Sequence, residues 1–202
     1  MRRISGELDG SDICLKSLPD EELMALCACG SRQAMDEIVS RYHGKLLDFA
    51  FRRLGDRETS ADIAQCALVR AFESAGSFRL QSSFRTWLYA IALNLIRDEW
   101  RRRKQRRESL ASEIEGVDDF IEAQNPSPEG SALDKMAARE LWRAVGGLSE
   151  NYNTVLILKF RQRLTYEEIA EVMGAPSGTV KSWVHYALKE LRERLGPVEC
   201  EV

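Results

Sequence analysis

The stretch LTYEEIAEVMGAPSGTVKSWVHYALKELRERL, Leu164–Leu195, decides how the chain is read. Apolar residues recur at helical spacing on both sides of one glycine. Ile169, Ala170 and Met173 face inward before Gly174, and Val180, Val184, Ala187, Leu188, Leu191 and Leu195 form one face after it. Gly174 can take the left-handed conformation that a tight interhelical turn needs, and Ser177 stands where an N-cap would open the second helix. Helix, glycine turn, helix is the arrangement of DNA-binding helix-turn-helix units. Opposite the apolar face lie Thr179, Ser182, Tyr186 and Lys189, with Lys181 and His185 at the flank. With Ser177 at the start of the helix, these are the side chains a recognition helix would offer to a major groove. The plainer alternative is a helical hairpin that binds nothing; the turn chemistry and the short polar first helix favour DNA binding.

Working outward, prolines occur only at positions 19, 126, 128, 176 and 197, so nothing interrupts helices between 20 and 125. Ile63, Ala64, Ala67, Leu68, Ala71 and Phe72 form one helical stripe, and Phe84, Trp87, Leu88, Ile91, Ala92 and Leu95 form another. No alternating strand pattern competes. The fold class is therefore all-α. Ser83 to Arg107 reads as one long helix, and Asn94, Arg97 and Arg101, spaced i, i+3, i+7, lie off its apolar stripe. Asn suits adenine and Arg suits guanine or phosphate, although the run Arg97, Arg101, Arg102, Arg103, Lys104, Arg106, Arg107 reads first as a phosphate-attracted helix end. Before it, the segment from Gly76 to Phe84 places Phe78 among small polar residues, a composition that catches unstacked bases, while Phe84 reads as core.

Net charge of −3 conceals a segregation. Residues 1–107 carry 19 basic against 15 acidic side chains, residues 108–132 carry seven acids and no base, and residues 133–202 balance ten against ten. The acidic stretch contains Asn-Pro-Ser-Pro-Glu-Gly and little to bury, so it reads as a flexible linker. Two helical domains follow, 20–107 and 133–196, with a poorly ordered lead over 1–19 and a short tail over 197–202. No apolar run approaches the roughly 20 residues of a membrane span, and no leader-like apolar segment follows the two N-terminal arginines, which points to a cytoplasmic protein that does not insert in membranes. Five cysteines, Cys14, Cys27, Cys29, Cys66 and Cys200, are irregularly spaced and odd in number, which fits reduced thiols. Cys27-Ala-Cys29 lacks zinc spacing, and neither His43 nor His185 stands at a partner interval, so no metal is expected. No catalytic triad, carboxylate pair or phosphate-cradling glycine loop is visible, so neither an enzyme nor a cofactor is expected.

In this order, ADIAQCALVRAF, SFRLQSSFRTWLYAIALNLIRDEWRRR and the helix-turn-helix stretch, separated by an acidic tether, resemble a bacterial extracytoplasmic-function (ECF) sigma factor of RNA polymerase. The resemblance covers about residues 20–196. It implies that 20–107 is sigma region 2, which docks on the beta-prime clamp helices and opens the minus-ten element, and that 133–196 is region 4, which lies on the beta flap and reads the minus-thirty-five element. It implies an anti-sigma partner as well. By position, Asp62, Gln65, Cys66 and Val69 match the polymerase-docking face, although the family commonly carries Glu where Cys66 stands. Phe78, Arg79 and the loop through Ser83 match the segment that captures the flipped minus-ten base, and Asn94 matches a DNA-reading position. Thr179, Lys181 and Ser182 match the region 4 reading surface, where Trp183, Tyr186 and Leu188 replace commonly basic residues. The competing classes are a stand-alone helix-turn-helix regulator and a protein-interaction adaptor.

If Asn94 contacts a base through both side-chain polar atoms, Asn94→Ala should cost about 1–3 kcal/mol and relax preference at one minus-ten position. Transcription from promoters varied one base at a time checks this; an unchanged preference at every position would leave the helix with a phosphate role only.

Overall fold

The computed structural model describes residues 15–77, 83–111 and 140–195. The first half holds four α-helices: α1 (Asp20–Ala28), α2 (Arg32–Leu54), α3 (Arg57–Glu73) and α4 (Phe84–Ala111). The second holds α5 (residues 140–146), α6 (Glu150–Leu156), a π-helical turn (Ile157–Arg161), α7 (Tyr166–Met173) and α8 (Ser177–Leu195).

Local chemistry sets most of these boundaries. Ser31 caps α2 by accepting the Ala34 N–H, and Gly55, at φ 71°, ends it in the left-handed region. Asp56 then opens α3 by accepting the N–H groups of Glu58 and Thr59. Hydrogen bonding from Thr59 outweighs burial at Asp56, and its carboxyl sits below the ordinary aspartate range. Ser83 Oγ accepts the Thr86 N–H at 3.2 Å, and Glu21 of α1 accepts the Phe84 N–H at 3.1 Å, so the start of α4 is tied to a distant helix. In the second half, Thr165 and Glu168 form a reciprocal capping box on α7, and Gly174, at φ 64°, makes the turn read from the sequence.

Several sequence expectations need correction. The lead does not stay loose as far as residue 19: Leu15–Ser17 forms a 3-10 turn, and Arg41 of α2 donates to the carbonyls of Leu15, Lys16 and Leu18 at 3.0, 2.9 and 2.8 Å. Arg41 also pairs with Asp20, and the Tyr42 hydroxyl bonds Asp20, so both terminal guanidinium nitrogens hold this segment while Nε is turned to Glu37 of its own helix. The long helix begins at Phe84 and continues to Ala111, past the expected end at 107. Its last turns gain i, i+3 and i, i+4 pairs, Arg101–Asp98, Arg102–Glu99, Arg103–Glu99 and Lys104–Glu108, each contributing about 0.2–0.5 kcal/mol. Ser177 is the first residue of α8 rather than its cap, and Leu188, expected on the apolar face, is 37% exposed.

The halves do not sit apart. A single cluster of buried apolar residues runs from Leu23 on α1 to Val184 on α8, and α4 packs against α7 as well as against α2 and α3. The second half adds a small core of its own, Val145, Leu148, Leu156, Ala187 and Leu191. Phe49 of α2 and Tyr89 of α4 meet edge to face at 5.4 Å, both fully buried. Phe49→Ala should therefore cost about 3–5 kcal/mol of stability, read as a lowered urea midpoint with retained helical circular dichroism below it.

Candidate nucleic-acid and protein interfaces

On α3, Ile63, Ala64, Ala67 and Leu68 are buried, whereas Asp62, Gln65, Cys66 and Val69 are all exposed on the opposite side. The structure thus gathers these four expected contact residues onto one surface. Cys66 is a free, exposed thiol, whereas Cys27 is buried and burial pushes its thiol up.

On α8, Val180, Val184, Ala187 and Leu191 are buried, while Lys181, Ser182, His185, Tyr186 and Lys189 are exposed and Ser177 and Thr179 are half-buried. The rings of His185 and Tyr186 meet at 5.5 Å, with Tyr186 54% exposed. Ser182 Oγ donates to the Gly178 carbonyl at 3.1 Å, so part of its bonding capacity is used along the helix. Trp183 packs against the core rather than facing outward. Lys181 and Lys159 both lie over the Tyr166 ring, at 5.8 and 4.3 Å, which groups two cations at the start of α7.

On α4, Asn94 is exposed, and Arg101 is exposed in its pair with Asp98. Ser83 is committed to capping that helix. Phe78 and Arg79 lie outside the described residues. Arg97, expected with Asn94 and Arg101 on one DNA-facing side, is only 30% exposed and lies 3.6 Å from Glu150 of α6.

That contact belongs to an interface the sequence reading did not foresee. Arg53, only 7% exposed, donates to Asn153 Oδ1 at 3.1 Å and lies 3.3 Å from the Glu150 carboxylate. Asn153 in turn donates to the Val145 carbonyl at 2.9 Å. Burial, with Arg97 nearby, pushes the Arg53 guanidinium down to about 10 against the pull of Glu150, so it remains charged at neutral pH. Further along, Arg85 donates to Glu168 at 2.6 Å, the Tyr89 hydroxyl donates to Gln162 at 2.6 Å, and Arg161 reaches Asp48 at 3.0 Å. Burial raises the Tyr89 hydroxyl, which keeps it a neutral donor. Arg52 stacks 4.0 Å over the Trp142 ring. A local signal for the central residue exists: Leu46, Phe49, Ala50 and Arg53 continue one i, i+3, i+4, i+7 stripe, so an arginine occupies a core position. Among the described residues no group of three or more His, Cys, Asp or Glu side chains is placed to hold a metal.

Residues 38–106 match Sigma-70 region 2 and residues 138–191 match Sigma-70, region 4. The ECF RNA polymerase sigma factor SigW of Bacillus subtilis is 33% identical over 171 residues, spanning 82% of this chain and 91% of that protein. The chain belongs to the ECF sigma factors. The RNA polymerase sigma-H factor of Pseudomonas aeruginosa is 31% identical, over 89% of this factor and 95% of its own length. Among solved structures, the sigma factor RpoE in complex with the anti-sigma factor NepR from Bartonella quintana superposes with a TM-score of 0.63 at 25% identity, covering 79% of this chain and 95% of that one. CnrH in complex with the cytosolic domain of CnrY shares the fold, with a TM-score of 0.64 at 24% identity over 87% of this chain and 96% of that one. Both sigma regions and the all-α architecture are those expected, and membership in this family points to a regulator rather than an enzyme. No described helix is long and apolar enough to cross a membrane.

The Arg85–Glu168 pair has a defined pH signature. Burial alone would raise the Glu168 carboxyl, but the Thr165 N–H and Arg85 outweigh it and hold it below the ordinary glutamate value. A depressed carboxyl stabilises fully above its unfolded pKa and loses that contribution as pH falls through the lower folded value. A double-mutant cycle with Arg85→Ala and Glu168→Gln, the latter still able to cap α7, should give a coupling of about 0.5–1 kcal/mol in urea unfolding at neutral pH. The coupling should vanish in acid; a pH-independent value would remove the ion pair as its source.

Proposed function

We propose that this ECF sigma factor binds core RNA polymerase and promoter DNA together and directs transcription initiation, with no cofactor and no chemistry of its own. The observation that carries the reading is the pair of exposed faces, Asp62 to Val69 on α3 and Lys181 to Lys189 on α8, each backed by a buried apolar side. In this reading residues 20–107 act as region 2 and residues 133–196 as region 4. The α3 face meets the beta-prime clamp helices, the second half lies on the beta flap, and α8 enters the minus-thirty-five major groove with Thr179, Lys181, Ser182, His185, Tyr186 and Lys189. Asn94, Arg97 and Arg101, with Phe78, Arg79 and Ser83 before them, serve the minus-ten element. The acids that follow α4, from Glu113 to Glu129, mimic nucleic-acid phosphates in the polymerase channel, and the factor works in the cytoplasm where polymerase is. One solved relative, RpoE of Bartonella quintana, is in complex with the anti-sigma factor NepR, which supports an anti-sigma partner here too.

Promoter reading also requires the halves to part. Elements 25 base pairs apart are separated by about 80 Å of duplex at 3.4 Å per pair. A compact body of about 150 residues is only about 40 Å across. The chain between Ala111 and position 140 is long enough to bridge the gap when extended, at about 3.4 Å per residue.

Run-off transcription with purified core polymerase and a promoter panel tests the function: core-dependent, promoter-selective transcripts are expected. Promoter binding without polymerase would favour a stand-alone regulator, and no promoter effect would favour an adaptor. Asp62→Arg should abolish co-purification with core while leaving helical content unchanged, because a charge reversal is costly across an interface and cheap in solvent. Undiminished core binding would remove α3 from the docking surface.

A further inference from the structure

Two arginines from the first half share one carboxylate oxygen from the second. Glu150 Oε1 lies 3.3 Å from Arg53 Nη2 and 3.6 Å from Arg97 Nε. Arg53 is otherwise poorly provided for. Its Nη1 donates to Asn153 Oδ1 and, at 3.4 Å, to the Glu150 carbonyl, but Nε and Nη2 have no hydrogen-bond partner although the residue is 7% exposed. A guanidinium in that state is costly, and a leucine or methionine would continue the Leu46, Phe49, Ala50 stripe without the cost. Packing therefore gives no reason for an arginine here.

The surroundings supply one. Arg97 stands one helical turn from Asn94 and from Arg101 on α4, the helix proposed to meet promoter DNA, and Arg53 lies beside it across the shared oxygen. Once the halves part, as simultaneous reading of both promoter elements demands, Glu150 leaves with α6. Two like charges then remain side by side with unused donors in planar forks, an arrangement suited to phosphate oxygens. We propose that Arg53 and Arg97 form a binding site for a phosphodiester of the promoter backbone, and that Glu150 occupies this site in the closed arrangement in the place the phosphate takes. Closure and backbone binding at this point are mutually exclusive. The inference rests on the sigma-factor reading above.

The test uses the full-length factor. In holoenzyme, Arg53→Gln and Arg97→Gln should each weaken promoter binding several-fold at low salt, flatten the dependence of log affinity on log salt by about 0.9, and do so equally for promoters of altered sequence. Glu150→Gln should leave the holoenzyme slope unchanged. In the free factor it should strengthen binding to a non-promoter duplex several-fold, and adding Arg97→Gln should cancel that gain. Unchanged salt slopes for both arginine variants would overturn the phosphate site; no gain with Glu150→Gln in the free factor would overturn its occupation by Glu150. Arg97 and Glu150 are partly exposed, so their variants keep the test decisive if Arg53→Gln fails to fold. Absence of any core-dependent transcript from the wild-type factor would refute the sigma reading, and the free-factor measurements would still judge the site.

Discussion

Burial of α4 on more than one side is the constraint from which the arrangement follows. Phe84, Leu88, Leu93 and Ile96 are fully buried, and the helix contacts α1, α2, α3 and α7. The placement of this 28-residue helix comes from that packing rather than from helix propensity. Because α3 is fixed against one side of it and α7 against another, the orientations of the exposed α3 face and, through α7, of the proposed recognition helix both refer back to this helix. Its basic C-terminal half is held differently. Arg103 bonds the Leu54 carbonyl, Asp56 and Thr59, tying the phosphate-attracting end to the α2–α3 turn.

What was legible in the sequence was what periodicity records. The α3 stripe, the helix-turn-helix with Gly174 at its turn, and the outward set on α8 are local patterns, none longer than the 32 residues of Leu164–Leu195. What was not legible depends on partners far along the chain. The hold of Arg41 on Leu15 to Leu18, the capping of Phe84 by Glu21 and the meeting of Arg53 with Asn153 span from 23 to 100 positions. Charged residues paired at such distances look like ordinary surface residues in a linear reading. Leu188 erred the other way: it lies in line with the apolar face of α8 but near its edge, where the neighbouring helix no longer covers it.

The exposed face of α3, proposed above to dock on polymerase, shows how one side chain can set the character of a surface without bearing on the fold. Cys66 is exposed between buried neighbours Ala64 and Ala67, so nothing in the packing requires a thiol there. This factor presents there a small, weakly polar group next to Gln65 and beside Val69, itself 46% exposed. The centre of the face is therefore uncharged and partly apolar, with Asp62 beside it as an exposed acid. If polymerase docks here as proposed, recognition at that centre leans more on shape than on long-range attraction.

Glu168 divides its two oxygens between separate tasks. Oε1 accepts from Arg85 across the boundary, and Oε2 accepts the Thr165 N–H within the capping box. Losing the first leaves the second intact, so α7 keeps its cap whether or not the halves touch. If the halves part as proposed, this carboxylate exchanges Arg85 for water on one oxygen while its hold on the start of α7 stays in place. The unit proposed to read DNA would then arrive preformed, with the entropy of ordering this helix already met before any promoter is encountered.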